Sequence, residues 1–240
     1  MKGKRSSWLG RAVFAVLITV SAIVLTGFFA PAAHCQIVSP PPHPNLPPPE
    51  PLAGVRYNFP WEIYGGIGYA ATDAGPNILQ QALLGGFDAR AVREFSQRWG
   101  VGANVRGYFG TSGVGATTSG AAGQIHGPFV AEYFLLGGPE YRALSNEHAA
   151  LMLHTFVGGV YGDFQHGLNG VPPADVGFFS NQMALGMALG GSIDLNRSPR
   201  LVFRIAPDAL MSDFGGNGLA EHMSLSIGVV YRLGHQFRTK

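Results

Sequence analysis

Cysteine is nearly absent from this chain of 240 residues; Cys35 is the only one. An internal disulfide and a thiolate-held metal site are therefore excluded. Charge is also scarce, at 12% of residues, where a soluble protein carries about 25%. Lys2, Lys4, Arg5 and Arg11 sit together at the N-terminus, and beyond them the only lysine is Lys240. The rest of the chain is mildly acidic and has no basic stripe to track phosphates, which argues against nucleic acid as a partner. Long apolar runs are missing too. Only Ala12 to Ala30 approaches the roughly 20 residues that a membrane helix needs. If the remainder enters a membrane, it must do so as strands. What is plentiful is glycine, 35 residues, with 11% aromatics and 46% hydrophobic residues, a composition suited to a chain solvated partly by lipid.

The N-terminus has the three parts of a secretory signal. Met1 to Arg11 is basic, Ala12 to Ala30 is apolar, and Ala30, Pro31, Ala32 and Ala33 close the run. The expectation is a signal peptide over 1–35, cleaved after Ala32 or Cys35. An uncleaved anchor is the alternative. Ala32 and His34 stand where a lipobox wants an aliphatic and a small residue, which argues against lipidation of Cys35. Residues 36–56 follow as a periplasmic linker. Pro40, Pro41, Pro42, Pro44, Pro47, Pro48, Pro49 and Pro51 make it an extended, semi-rigid spacer.

From Trp61 onward the apolar pattern has period 2, the signature of strands with two different faces. Met183, Leu185, Met187, Leu189, Ile193 and Leu195 oppose Ala184, Gly186, Ala188, Gly190, Ser192, Asp194 and Asn196. Met223, Leu225, Ile227, Val229, Tyr231 and Leu233 oppose His222, Ser224, Ser226, Gly228, Val230 and Arg232. Segments near Trp61, Trp99 and Leu201 repeat the theme. Phe87 to Ser96 alternates less well, because Val92 and Arg93 fall on the wrong faces. Phe129 to Ala143 and Leu151 to Tyr161 are apolar on both faces in places. Eight strands are expected in all. Tight connections at Gln97 to Trp99, Ser145 to His148 and Asn196 to Pro199 alternate with long ones near 74–85, 112–124, 164–179 and 213–220. Long loops on one side and short turns on the other describe an outer-membrane barrel, and an even strand count puts both ends on the periplasmic side.

The less apolar face decides between lipid and water outside. A soluble lipocalin-like barrel would need dense Lys and Glu on its exterior. Here that face carries Gly, Ala and Ser with scattered charge, which fits a crowded interior. The expected fold is all-β, a transmembrane antiparallel up-and-down barrel over 57–234, with a tail over 235–240. Trp61, Trp99, Tyr69, Tyr141, Tyr231 and Phe109 would form the interfacial girdles.

The last strand ends Ser226-Ile-Gly228-Val-Val-Tyr231-Arg-Leu233. Ser226, Gly228, Tyr231 and Leu233 together resemble the C-terminal assembly signal of outer-membrane barrels. From Trp61 to Leu233 the chain resembles the outer membrane β-barrel family, in its OmpA/OmpX-like eight-stranded form. The resemblance implies insertion in the bacterial outer membrane, with the barrel-insertion machinery and outer-membrane lipid as partners. It implies no single activity.

The inward face collects Glu62, Asp88, Arg90, Glu94, Arg106, Glu132, Glu140, Arg142, His154, Asp194, Arg204, Asp208 and Arg232. An eight-stranded barrel is just wide enough for side chains to fill it, so a buried ion-pair network is the expectation, with Arg204 and Asp208 as first candidates for a pair or cluster. His126, His148, His154, His166 and His222 have no partner at a diagnostic spacing, and Gly110 to Gly123 lacks the context of a phosphate loop. No enzyme, cofactor or metal is expected. The function expected is a structural or surface-interaction barrel, with an envelope or extracellular ligand reached through the loops. A narrow porin-like channel and a soluble lipocalin-like barrel are the alternatives.

Overall fold

The structure, a computed structural model, describes residues 57–75, 81–112, 117–119, 123–125, 127–168, 170–216 and 219–234. The signal, the proline-rich linker and the C-terminal tail lie outside the described residues. Ten strands are present among the described residues: β1 Trp61–Thr72, β2 Ala82–Glu94, β3 Trp99–Thr111, β4 Thr117–Ser119, β5 Gly123–Ile125, β6 Phe129–Ser145, β7 Ala149–His166, β8 Gln182–Asn196, β9 Leu201–Ser212 and β10 Ala220–Leu233. Eight of them close into an antiparallel barrel in the order β1-β10-β9-β8-β7-β6-β3-β2. The short β4 and β5 pair only with each other, within the long β3–β6 connection. No helix among the described residues is long and apolar enough to cross a membrane.

Each of the three tight turns is built on a polar side chain that caps the backbone. Ser96 Oγ accepts the N–H of Trp99 at 2.9 Å. Asn146 Oδ1 accepts those of His148 and Ala149 at 2.8 and 2.7 Å. Ser198 Oγ accepts that of Leu201 at 2.9 Å. All three turns and both strand termini, Trp61 and Leu233, lie at one end of the barrel. The four longer connections, over 73–81, 112–128, 167–181 and 213–219, lie at the other.

The alternation sorts as the pleat requires. Ile67 and Met183 are 76% and 78% exposed on the outer wall, while Tyr64, Arg106 and Arg204 are fully buried within. The two irregular positions of β2 fall where the sequence puts them. Val92 points into the lumen, and Arg93 points out with its guanidinium 5.0 Å from the centre of the Trp61 ring. A soluble lipocalin-like arrangement is corrected by this geometry. The apolar face is the exposed one, and the face rich in charge is shut inside.

The lumen has two halves. Towards the long loops it is apolar, filled by Leu84, Phe134, Leu136, Phe156, Phe164 and Leu210 with Phe178 and Phe214 from the loops. This explains the apolar residues on both faces of β6 and β7: one face meets the exterior and the other builds this inner cluster. Towards the tight turns the lumen is polar.

Candidate functional site

The polar half of the lumen is a continuous network of buried charge. At its turn end, Glu62 on β1 meets Arg232 on β10 at 3.0 Å, Arg204 on β9 at 3.1 Å and Arg142 on β6 at 3.4 Å. Arg142 also meets Glu94 at 3.1 Å and donates to the Gln97 carbonyl. Arg204 grips Asp194 on β8 with two hydrogen bonds of 2.6 and 2.8 Å. Deeper in, Glu140 joins the clusters, 3.8 Å from Arg204 and 3.1 Å from Arg90.

The centre of the barrel is organised by Asp208. Its carboxylate meets Arg106 at 2.5 Å and His154 Nε2 at 2.8 Å, with Arg90 at 3.9 Å. Asp88 lies 3.6 Å from Arg106 and accepts from Asn104 and Ser226 at 2.5 and 2.9 Å. Aromatic faces complete the packing. The His154 ring stacks on Phe156 with centroids 4.7 Å apart, and Arg90 lies 4.9 Å from the centre of that same Phe156 ring.

Glu62, Glu94, Arg106, Glu140, Arg142, His154, Asp194, Arg204, Asp208 and Arg232 are thus all buried in the lumen. Arg204 and Asp208 do not pair with each other. They are joined indirectly, through Glu140 and Arg90. Glu132 stands apart in the apolar half, where Thr72 donates to it at 2.7 Å. Within the polar half, burial of so much charge is tolerated because each ion of the network has an opposite partner.

Glycines make room for these side chains. At Gly190 a Cβ would sit on the Asp208 carboxylate, and at Gly68 it would come within 2.9 Å of the Tyr108 ring. Oxygens of Glu62, Glu94 and Glu140 lie within 4.8 Å of one another, a spacing that could hold a cation. Arginine already serves that purpose: Arg142 bonds both Glu62 and Glu94, and Arg90 bonds Glu140.

Two features went unread in the sequence. The first is a plug at the turn end. Tyr57 lies beneath the network, with the guanidiniums of Arg142 and Arg232 at 4.6 and 4.8 Å from its ring centre. Its hydroxyl donates to the Asn146 carbonyl at 2.8 Å and accepts from Asn196 at 2.6 Å. Burial pushes the Tyr57 phenol above its ordinary value, so it stays a neutral donor. Phe59 beside it is buried, with Arg200 over its ring at 5.6 Å. The second is the buried pair of Ser212 Oγ and His222 Nε2, 3.0 Å apart. Among the described residues His222 Nδ1 has no hydrogen-bond partner.

On the last strand Ser226 faces inward and accepts from Tyr64 at 3.0 Å. Gly228 packs against the backbone of Gly65 and Gly66. Tyr231 and Leu233 face out, opposite Ile63 and Trp61.

The ends of the barrel differ in charge. Arg93, Arg98, Arg197 and Arg200 are exposed at the turn end, against Glu147. The four long connections contain no Lys or Arg at all. Asp73, Asp163, Asp175, Asp213 and Glu221 lie in or beside them.

This geometry defines a class: a closed eight-stranded antiparallel transmembrane β-barrel with an apolar outer wall and a filled lumen. No protein-family model matches the sequence, and no curated protein does. Similar solved structures are those of bacterial outer-membrane barrels. Ail, the attachment invasion locus protein of Yersinia pestis, is 17% identical, with 73% of this chain and 99% of that chain covered and a TM-score of 0.46. Neisserial surface protein A is 10% identical, covering 72% and 97%, with a TM-score of 0.48. The outer membrane protein OprG from Pseudomonas aeruginosa is 12% identical, covering 77% and 100%, with a TM-score of 0.45. The likeness is one of fold.

Proposed function

We propose that this chain is an integral outer-membrane protein with a structural or surface-interaction role, not a channel and not an enzyme. In this reading the tight turns and both strand termini face the periplasm, and the long loops face the exterior. The barrel-insertion machinery reads Ser226, Gly228, Tyr231 and Leu233 during assembly. The observation that carries the reading is the combination of an exposed apolar wall with a lumen filled along its length. A bilayer stabilises such a wall, and water does not. The filling leaves the long loops as the surface offered to an extracellular or envelope ligand.

Two measurements test it. Cold and boiled samples of the outer-membrane fraction should migrate differently on a detergent gel, because a folded barrel resists the detergent until heated. A soluble periplasmic protein without that shift would overturn the membrane assignment. In planar bilayers the purified protein should leave the membrane sealed. Regular unitary currents would replace the structural role with the narrow-channel one.

A further inference from the structure

The outer wall is not uniformly smooth. Between β3, β6, β7 and β8 lies a groove walled by Trp99, Pro139, Tyr141, Leu153, Thr155 and Leu189. Its origin is local. The β6–β7 ladder keeps one register from Gly137 opposite Val157 to Glu140 opposite His154, yet the two intervening pairs are missing. Pro139 has no N–H to donate there. Its compact ring and the short Thr155 leave a low place between taller neighbours. Trp99 and Tyr141 stand together at the turn-end margin of the groove, with ring centroids 4.7 Å apart.

A cation stands at that margin. Arg98 is the chain neighbour of Trp99, and its carbonyl accepts the Arg142 N–H at 2.8 Å, which fixes it beside Tyr141. Arg93 on β2 is turned away from the groove, with its guanidinium 5.0 Å from the centre of the Trp61 ring on β1. Both arginines are exposed. Neither is among the guanidiniums that hold the lumen together.

We propose that this groove and Arg98 form a site for an anionic glycerophospholipid. One acyl chain lies between Trp99, Tyr141, Leu153 and Leu189, and the phosphate is met by Arg98. Charge complementarity commits the occupant. The turn end presents four exposed arginines against Glu147, and a membrane surface of anionic lipid attracts such residues by about 1 kcal/mol each. The long-loop end has no cation in its connections to make the same contact. The inference rests on the membrane-barrel reading above and adds to it a lipid preference confined to one end and one flank of the barrel.

The test uses the full-length protein carrying W8F and W61F, so that Trp99 is the sole tryptophan. It is folded into phosphatidylcholine vesicles that contain either brominated phosphatidylglycerol or brominated phosphatidylcholine at the same mole fraction. Bromine quenches a tryptophan that it touches. Phosphatidylglycerol should be favoured at Trp99 by about fivefold, the factor that one arginine near an anionic surface supplies. The preference should vanish in the further variant R98Q. It should also fall at high salt in the unchanged reporter protein, which needs no additional folding variant. Equal quenching by the two lipids overturns the site, as does a preference that persists in R98Q or at high salt. Quenching by neither lipid overturns the membrane reading itself, because Trp99 then does not meet hydrocarbon.

Discussion

Arg204 and Asp194 face each other directly across the β8–β9 ladder, fork to fork, with every atom of the contact buried. Glu62 and Glu140 hold the other side of the same guanidinium. Removing the arginine alone leaves carboxylates in a closed space, which costs about 3–5 kcal/mol. Arg204→Met should therefore lower the temperature at which the cold-folded gel band converts to the boiled one. Restoring neutrality with Asp194→Leu on top of it should recover part of the loss. A single variant that converts at the parent temperature would show that the pair carries little of the barrel's stability.

Tyr57 seals the turn end through its ring and its hydroxyl together. Tyr57→Phe keeps the ring between Arg142 and Arg232 and loses only the hydrogen bonds, a cost of about 1 kcal/mol. Tyr57→Ala also loses two cation–π contacts, each worth roughly 0.5–2 kcal/mol. The order of denaturant midpoints should be parent, then Tyr57→Phe, then Tyr57→Ala. Coincident curves for all three would mean that the segment before β1 contributes nothing to the fold.

Gly190 is the place where the lumen has no slack. A side chain there displaces the Asp208 carboxylate from His154 and Arg106. Gly190→Val should block folding into detergent-resistant form, whereas Gly85→Ala, at an exposed β2 position with open space around it, should fold. If Gly190→Val yields a heat-shifted band at parental level, the central cluster is looser than the geometry describes.

Ile67 lies near the middle of β1 on the exposed wall. Arginine on the lipid face of a barrel costs about 2–4 kcal/mol at the bilayer midplane and little near the interfaces. Ile67→Arg should thus destabilise far more than Leu233→Arg at the turn end. Equal costs at the two positions would contradict a hydrocarbon zone centred on β1.

Strand positions were legible because the pleat imposes its period on any wall with two solvents. β8 and β10 show it residue by residue. β2 was legible only in part. It begins at Ala82, where Leu83 and Leu84 are both apolar, because one meets the exterior and the other the apolar half of the lumen. Phe134 and Phe156 hid that half for the same reason. The inward identity of the charged residues followed from alternation, but their partners did not. Arg204 and Asp208 are four residues apart on one strand, about 13 Å at the strand rise, while Asp194 is the immediate neighbour across the ladder. Tyr57 could not be found from a period at all, since it lies outside the strands and binds Asn146 and Asn196, far away in sequence.

The unequal ends of the barrel bear on how a cell carrying it would respond to surface shaving. Trypsin cuts only after lysine or arginine, and the long connections contain neither. In the orientation proposed here, intact cells treated with trypsin should keep the protein whole, while a protease that cuts beside large apolar residues has the exposed Leu219 among its targets. The arginines become accessible only when the turn end is exposed, so cleavage by trypsin would report a breached or inverted membrane.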